Sequence, residues 1–308
     1  MAPGATVRAG GIDVPVTRLD KLFFPGDGIT KGDLIEYYRT AATAMIGYLR
    51  DRPLVMERYP DGITGQGVVQ KNVPRYFPAW VSRAEVPKQG GGALCQVVGD
   101  KPATLVYLAN QGCVELHVFL SALGALDRPD QLVFDLDPPD AAHFGQTRRT
   151  ALDLRALLEG ELGLTAYVKT TGGKGLHVHV PLRPADDFDA VRGFAREIAD
   201  LLVSRAPERL TTEQRKEQRG DRLYLDLMRN GYAQMAVAPY SVRARPGAPV
   251  ATPLDWAELD RDLSPGQFTI RTLGDRLAQS KDPWAGMTRH RRGLAAPRRR
   301  LAALLSGS

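Results

Sequence analysis

The sequence LVFDLDPPD, residues 132–140, decides the fold. Its first six residues read as a β-strand, and two prolines end it because proline cannot extend a ladder of backbone hydrogen bonds. Side chains alternate along a strand, so Asp135 and Asp137 share one face with Val133, and Leu132, Phe134 and Leu136 share the other. Carboxylates about 4 Å apart repel each other by roughly 4 kcal/mol at an effective dielectric constant near 20. A divalent cation would turn this repulsion into attraction, which predicts a metal-binding strand; alternatively, the two aspartates only cap the turn that follows.

A second strand-like run, RLYLDLM at residues 222–228, supplies a third carboxylate. Asp226 is its only acid, and it lies on the face opposite the three leucines. Ligation by oxygen alone suits Mg²⁺ or Mn²⁺, and two such ions about 3.5–4 Å apart support phosphoryl transfer. The pattern therefore predicts that Asp135, Asp137 and Asp226 form a two-metal site.

The sequence KTTGGKGLHVHVPL, residues 169–182, predicts two strands joined by a glycine turn. Glycines let backbone amides approach an anion, Lys174 adds positive charge, and the two threonines offer a hydroxyl. It is not a Walker A loop, because the lysine is followed by glycine and a strand rather than by Ser or Thr and a helix.

Two histidines on the second of these strands allow a different interpretation. His177 and His179 fall on one strand face, as in some zinc sites, but a three-histidine site would have to recruit His117. We expect His177 to donate a hydrogen bond to a triphosphate and His179 to be a packed side chain.

The rest of the chain predicts an α+β fold with a mostly antiparallel or mixed sheet. Residues 29–49 read as a helix that begins with a capping box at Thr30 and Asp33. Residues 147–159 and 188–204 also read as helices. The runs 222–228 and 234–242 look like adjacent strands.

The sequence indicates a protein of the cytoplasm. No run of about 18 apolar residues could span a bilayer, and the first residues lack the apolar core of a signal peptide. Cys95 and Cys113 are too few for a disulfide framework, so we expect both to be reduced packing residues.

The formal net charge of +6 is concentrated in one segment, because residues 283–308 contain six arginines and no acid. Without them, basic and acidic residues are equal in number at 35 each, so the body of the protein is not basic overall. The segment is interpreted as a basic tail that binds polyanions or as a solvated, partly helical end.

Three stretches resemble, in order and spacing, the motifs of the polymerase domain of bacterial DNA ligase D, a member of the archaeo-eukaryotic primase superfamily. They are LVFDLDPPD, TTGGKGLHVHVPL and RLYLDLMRNGYAQMAVAPYSVRAR. The resemblance covers roughly residues 12–282 and implies an archaeo-eukaryotic primase-type catalytic core, with mixed or antiparallel sheets flanked by helices. We expect one primase-polymerase domain over 1–282, with an N-terminal part to about 115 and a catalytic sheet part from about 116, followed by the basic tail.

The resemblance also implies roles for individual residues. The three aspartates would bind the metals at which a 3′-hydroxyl attacks the α-phosphate of an incoming rNTP or dNTP. The residues expected to hold this nucleotide are His117, Thr171, Lys174, His177, Arg219 and Arg243. The residues expected to bind a DNA 5′-phosphate are Arg18, Lys21 and Lys31, and those expected to contact the template are Val68, Val69 and Lys71.

The sequence departs from the family pattern in two places, at Arg18 and at the pair Val68 and Val69. Arg18 replaces an asparagine and keeps a hydrogen-bond donor. Val68 and Val69 replace paired aromatic residues, and aliphatic side chains cannot stack on a template base, a contact worth roughly 1–3 kcal/mol per base. This departure favours gap filling over the bridging of broken ends.

The sequence therefore predicts a template-dependent, Mg²⁺- or Mn²⁺-dependent polymerase that fills short gaps in DNA repair, or a primase of the same class. The resemblance implies a preference for ribonucleotides and, as substrate, gapped or broken DNA with a 5′-phosphate. No ligase motif is present, so we expect a monomeric, stand-alone or excised polymerase served by a separate ATP-dependent DNA ligase.

Two alternatives belong to other classes. One is a nucleic-acid-binding module without catalysis, which would use Lys21, Lys31 and the arginine tail. The other is a zinc or manganese hydrolase centred on His177 and His179.

Overall fold

The computed structural model describes residues 5–260, 263–279 and 281–307. They fall into two compact units between which the chain passes more than once. Unit 1 is made of Met1–Phe119, Val237–Thr252 and Gly266–Asp282, and unit 2 of Leu120–Ala236, Pro253–Pro265 and Pro283–Ser308. The sequence placed one internal boundary near residue 115, whereas the two units interleave along the chain. Residues 1–4 and 308, at the ends of the predicted ranges, lie outside the described residues.

Within the described ranges the chain forms six α-helices. They are α1 (Lys31–Leu49), α2 (Pro102–Asn110), α3 (Phe144–Arg155), α4 (Phe188–Arg205), α5 (Leu273–Gln279) and α6 (Ala295–Ser306). None of them combines the length and the apolar composition that crossing a membrane requires.

The same ranges contain sixteen strands. They are β1 (Thr6–Ala9), β2 (Ile12–Pro15), β3 (Leu22–Phe24), β4 (Ile29–Thr30), β5 (Pro53–Arg58), β6 (Val68–Gln70), β7 (Arg83–Pro87), β8 (Ala93–Val98), β9 (Cys113–Phe119), β10 (Gln131–Asp137), β11 (Tyr167–Thr170), β12 (Leu176–Pro181), β13 (Leu210–Thr211), β14 (Leu223–Asp226), β15 (Met235–Val237) and β16 (Pro253–Leu254).

Unit 1 is built on a sheet with the order β15-β9-β5-β8-β7, and β6 also pairs with β5. Helix α1 begins with the predicted capping box, in which the Asp33 N–H donates to the Thr30 hydroxyl at 3.1 Å. The helix buries an apolar stripe and packs against α2. The Tyr38 hydroxyl donates to the Val114 carbonyl of β9 at 2.7 Å, which ties the helix to the sheet.

Unit 2 is built on a sheet with the order β13-β14-β10-β12-β11-β16, in which β13 and β14 run parallel and the other described pairs are antiparallel. On β10, Leu132, Phe134 and Leu136 are buried, as the alternation predicts, and Val133 is buried as well on the face that carries the two aspartates. Helices α3 and α4 pack against β10. The α+β prediction is therefore confirmed, and the two helices were predicted at 147–159 and 188–204.

The prediction that the runs 222–228 and 234–242 form adjacent strands is wrong. Only Leu223–Asp226 and Met235–Val237 are strands, and they belong to different sheets. The physical reason lies in the turn between them, where the Asn230 amide donates to the Val133 carbonyl at 2.7 Å and accepts from the Val133 N–H at 2.8 Å. These bonds hold the turn on β10, so the chain cannot fold back as a hairpin.

Residues 283–307 pack within unit 2 rather than extending as a solvated end. Trp284 is buried, and its indole N–H donates to the Val168 carbonyl at 3.0 Å. The Arg291 guanidinium pairs with the nearly buried Asp130 at 2.5 Å. The partly helical character is confirmed by α6. Polyanion binding stays a prediction and rests on the four arginines that remain exposed: Arg289, Arg292, Arg299 and Arg300.

Candidate active site

The three predicted aspartates lie on two neighbouring strands of unit 2. The antiparallel register of β10 and β14 sets Asp135 directly opposite Asp226 and Asp137 opposite Tyr224. Directly opposed residues have Cβ atoms about 4.5–5.5 Å apart. The three carboxylates are partly exposed, whereas the leucines beside them are buried. The fold thus brings the three acids to one strand pair.

The charge on Asp226 is destabilised in this arrangement. Burial is the largest cause of its raised pKa, and the negative charges of Asp135 and Asp137 add to it. The Met228 N–H opposes them by donating to Asp226 Oδ1 at 2.8 Å. A cation bound at these carboxylates would relieve the repulsion.

Two cationic side chains flank Asp137. Lys174 Nζ lies 3.2 Å from one carboxylate oxygen, and Arg219 Nη1 lies 3.7 Å from the other. The Arg219 guanidinium also stacks over the Tyr224 ring at 3.7 Å from its centroid, which fixes its plane. The Lys174 ammonium donates to the Pro139 carbonyl as well. The structure therefore brings both predicted nucleotide-binding cations to the acidic strand pair.

His177 lies on β12 directly opposite Asp135, with 3.4 Å between Nε2 and Oδ2. Burial lowers the pKa of His177 to about 4, and the charge of Lys169 contributes. The imidazole is therefore neutral at pH 7, and its Nε2–H can donate to an anionic oxygen.

Arg229 also contacts this site and was not predicted from the sequence. Its Nε lies 3.5 Å from Asp135 Oδ2. The residue lies in the one-turn helix Met228–Asn230 that follows β14, and Asn230 fastens this turn to β10. The sequence did offer a signal for Arg229, because it lies three residues after Asp226 and next to an asparagine in the turn.

The glycine turn is closed by its own hydrogen bonds. The Thr171 hydroxyl donates to the Gly175 carbonyl at 3.1 Å and accepts from the Gly173 N–H at 3.2 Å. Gly175 is required by space, because a Cβ there would lie 2.3 Å from the carbonyl oxygen of Leu136. Leu136 separates the two aspartates of β10, so this glycine lets the turn pack directly against the acidic strand.

The donor set fits magnesium or manganese better than zinc. It consists of carboxylate oxygens only, and the repulsion at Asp226 is what a hard cation would remove. Within the described residues the three carboxylates do not bring one oxygen each within 4.8 Å of one another. Each carboxylate is engaged by a neighbouring donor instead: Lys174 at Asp137, His177 at Asp135 and the Met228 N–H at Asp226.

Unit 1 contains a separate charged cluster around two further predicted nucleotide-binding residues, His117 and Arg243. Both contact the buried carboxylate of Glu115, at 3.3 Å from His117 Nε2 and 2.8 Å from Arg243 Nε. Glu57 lies 3.7 Å from the same imidazole nitrogen. Neither glutamate was predicted from the sequence, although Glu115 precedes His117 by two residues on β9.

The oxygen and nitrogen atoms of Glu57, Glu115 and His117 lie within 4.8 Å of one another, as in a metal site. The Arg243 guanidinium already forms a salt bridge with the Glu115 carboxylate, however, and its positive charge would repel a metal ion bound at that carboxylate. Burial lowers the pKa of His117, but the two glutamates outweigh it, so the pKa lies above its ordinary value. The cluster is therefore suited to hold two cationic side chains for an anionic ligand.

The three residues predicted to bind a 5′-phosphate lie together in unit 1. Burial lowers the pKa of Lys31 to about 8, and the positive charges of Arg18 and Lys21 contribute. The Lys31 ammonium donates to the Thr17 carbonyl at 2.6 Å, and the Lys21 ammonium pairs with Asp61 at 2.9 Å. An anion bound beside these three residues would stabilise the charged form of Lys31.

The three residues predicted to contact the template lie on or beside β6. Val68 and Val69 are 49% and 62% exposed, although they are aliphatic. Lys71 follows the strand and is also exposed.

In the part of the chain that the structure describes, His177 and His179 have no third ligand of the kind that a zinc site would require. His179 is buried, with its Nδ1 2.9 Å from Gln131 Oε1 and its ring 4.8 Å from that of Trp284. The expectation that His179 is a packed side chain is confirmed. No group of three ligand atoms around His177 and His179 occurs among the described residues.

Comparison with known proteins gives consistent matches. Residues 30–284 match the family described as LigD, primase-polymerase domain. The chain is 34% identical over 302 residues to the multifunctional non-homologous end joining protein LigD of Pseudomonas aeruginosa, covering 97% of this chain and 36% of the relative. It is 34% identical over 269 residues to the bifunctional LigD of Bacillus subtilis, covering 87% of this chain and 43% of the relative. The chain therefore spans less than half the length of these relatives.

A solved structure is similar over nearly its whole length. The polymerase domain from Mycobacterium tuberculosis ligase D in complex with DNA superposes with a TM-score of 0.81 at 28% identity. The superposition covers 90% of this chain and 98% of that chain.

Proposed function

The chain belongs to the LigD primase-polymerase domain family, and we propose that it is a template-dependent nucleotidyltransferase that fills short gaps during DNA repair. The observation that carries the proposal is the strand register that sets Asp135 opposite Asp226, with Asp137 on the same strand pair. Carboxylates so opposed are destabilising unless a cation lies between them. A fold that keeps them together is best explained by metal-dependent phosphoryl transfer.

In this proposal the three aspartates hold Mg²⁺ or Mn²⁺. Bound there, the metal would supply Lewis-acid stabilisation of the charge that develops on the α-phosphate and on the departing pyrophosphate. The chain's own contribution is positional: the aspartates are fixed on two strands, Arg229 balances the charge of Asp135, and the neutral His177 imidazole lies 3.4 Å from the same carboxylate.

In this proposal several side chains of unit 2 hold the nucleotide. Lys174 and Arg219 pair with Asp137 in the structure, and both cations could pair with the triphosphate instead. His177 would donate a hydrogen bond, and Thr171 would keep the glycine turn closed beneath the phosphates.

In unit 1, the family resemblance gives His117 and Arg243 a nucleotide-binding role, and Arg243 would offer positive charge to an anionic ligand. Glu115 fixes the orientation of both side chains.

The DNA substrate in this proposal is a gap whose downstream end carries a 5′-phosphate bound by Arg18, Lys21 and Lys31. Exposed Val68 and Val69 and the cation Lys71 would line the template path. We further propose a preference for ribonucleotides, a monomeric state and a separate ATP-dependent ligase that seals the product. The ribonucleotide preference, the monomeric state and the separate ligase rest on the family resemblance. The positive charges of Arg18, Lys21 and Lys31 support the 5′-phosphate site as well.

The test is primer extension across a short, 5′-phosphorylated gap with Mn²⁺ or Mg²⁺, comparing each rNTP with its dNTP. Templated addition that is lost when Asp135 and Asp137 are both changed to alanine would support the proposal. Tight binding to the gap without any addition would instead favour the binding-module alternative. Metal-dependent phosphoester hydrolysis that survives in the double variant but is lost in His177→Ala would favour the histidine-centred hydrolase.

Recognition of the 5′-phosphate is expected to weaken as the pH rises from 7 to 9. The pKa of Lys31 is lowered to about 8, so its charge is present below pH 8 and is lost as the pH rises through that value. The terminal phosphate is already doubly charged across this range, since its second pKa is about 6. The preference for a phosphorylated over an unphosphorylated gap should therefore fall by about tenfold, the effect of one charge-assisted hydrogen bond.

Fluorescence anisotropy at pH 7, 8 and 9 with both gapped duplexes measures this preference. Lys31→Arg keeps its charge at all three values and should give a ratio that changes little with pH. Changing Lys21 and Lys31 together to alanine should abolish the preference. A wild-type ratio that stays constant from pH 7 to 9 would contradict the role given to Lys31.

A further inference from the structure

Tyr76 is an exposed aromatic side chain that the proposed function does not use. It is 62% exposed, whereas the adjacent Phe77 is 3% exposed. A single exposed apolar side chain is common in proteins, and what distinguishes Tyr76 is the way its ring is held and the charges of its neighbours.

The Tyr76 ring is held in place rather than mobile. Arg58 Nη1 donates to its hydroxyl at 3.2 Å. One side of the ring meets Phe77 edge to face, with 5.3 Å between centroids and 64° between planes. Phe77 in turn packs edge to face against Tyr107 at 5.0 Å. A ring braced by a buried aromatic row loses little conformational entropy when something stacks on it.

The same arginine connects Tyr76 to the strand that carries the exposed valines. Arg58 Nη1 also donates to Gln70 Oε1 at 2.7 Å, and Gln70 is the last residue of β6. Between β6 and Tyr76 the chain carries two exposed cations, Lys71 and Arg75. Neither cation has a salt-bridge partner among the residues that the structure describes. The stretch thus joins an open aromatic face to positive charge that is available to phosphates.

We propose that Tyr76 is a stacking platform for an unpaired nucleobase of the template strand, and that Lys71 and Arg75 contact the phosphates beside it. Stacking on aromatic side chains combined with cations along the backbone is how proteins hold single-stranded nucleic acid without reading its sequence. This inference rests on the proposed function, because the strand it names is the template of the gap. It assigns to Tyr76 the stacking that the aliphatic Val68 and Val69 cannot provide.

The charges of Lys71 and Arg75 favour a single strand of nucleic acid over a protein partner. An apolar protein surface would gain nothing from the two neighbouring cations, whereas each base of a single strand brings one phosphate. Because every base has an aromatic face, the contact should not depend on template sequence.

Binding to a duplex with a two-nucleotide gap tests the inference, with the fluorescent base 2-aminopurine at an unpaired template position. Tyr76→Ala should weaken binding by between about fivefold and a hundredfold and should remove the quenching of 2-aminopurine that stacking causes. Tyr76→Phe keeps the ring and should behave as wild type. Tyr76→Leu keeps apolar contact with Phe77 but cannot stack, so it should resemble Tyr76→Ala.

Leu305→Ala serves as a matched control, since Leu305 is another exposed apolar side chain. It should leave both readouts unchanged. Wild-type binding with unchanged affinity and quenching in Tyr76→Ala would overturn this inference alone. So would wild-type behaviour of Tyr76→Leu, because apolar area would then suffice. No binding of the gapped duplex by the wild-type protein would overturn the proposed function as well.

Discussion

Changing Asp226 to asparagine is expected to lower nucleotide addition by at least about a thousandfold while slightly raising the melting temperature of the metal-free protein. The two effects have opposite sign because the same charge serves catalysis and opposes folding. A variant that is more stable yet inactive identifies a carboxylate kept for its function.

The loss of activity follows from the position of Asp226 opposite Asp135. An asparagine oxygen has no negative charge, so the set of carboxylates would bind a divalent ion more weakly and place it less accurately. A thousandfold loss in rate corresponds to about 4 kcal/mol of transition-state stabilisation. Binding to gapped DNA should change little, because the charge removed is negative.

The gain in stability follows from the raised pKa of Asp226. Burial and the charges of Asp135 and Asp137 disfavour its ionised form in the folded protein, so folding is penalised above that pKa. Asparagine removes the penalty and can still accept the hydrogen bond from the Met228 N–H. Because the side chain is partly exposed, solvent screens the effect, and the expected shift is only about 2 °C.

Thermal melts with EDTA and with added Mn²⁺, together with primer extension, measure both effects. Asp221→Asn is the matched control, because it removes an exposed acid just before the same strand. Mn²⁺ should raise the melting temperature of the wild type and of the control but not of Asp226→Asn. A variant that keeps both its activity and its response to Mn²⁺ would contradict the metal role of Asp226.

Much of unit 2 could be predicted from the sequence because its signals are local. The alternation in β10 places Asp135 and Asp137 on the face opposite Leu132, Phe134 and Leu136, and in unit 1 a capping box fixes the start of α1. The register that pairs Asp135 with Asp226 could not be derived from periodicity, because it depends on partners far apart along the chain. The chemistry of the carboxylates and the family resemblance both predicted that these acids act together, but neither gave the register.

Other features depend on tertiary contacts that leave no pattern in the sequence. Glu115 looks like an ordinary strand residue until the fold brings Arg243 to it. The arginine-rich segment looks solvated because it contains six arginines and no acid, yet Trp284 and Arg291 fasten it to unit 2. The strand near residue 223 seemed to continue into a hairpin because the hydrogen bonds that Asn230 makes are invisible in composition.

Changing Gly175 to alanine is expected to lower nucleotide addition by about a hundredfold although no functional group is removed. The added Cβ would lie 2.3 Å from the Leu136 carbonyl oxygen, a distance that backbone atoms cannot tolerate. Either the glycine turn or β10 must move, and overpacking of this kind destabilises by about 1–3 kcal/mol.

The effect on catalysis follows because Leu136 separates the two aspartates. Displacing its backbone displaces Asp135 and Asp137 together, and a misplacement of about 1 Å near reacting groups can lower a rate by about a hundredfold. Steady-state kinetics should show most of the loss in kcat, since Lys174 remains to bind phosphate. Gly193→Ala is the matched control: it lies in α4, where a Cβ meets nothing within 4 Å, and alanine there should stabilise the helix by about 1 kcal/mol. If Gly175→Ala melts and reacts like that control, the close approach of the turn to β10 does not position the acids, and the glycines serve only the phosphate.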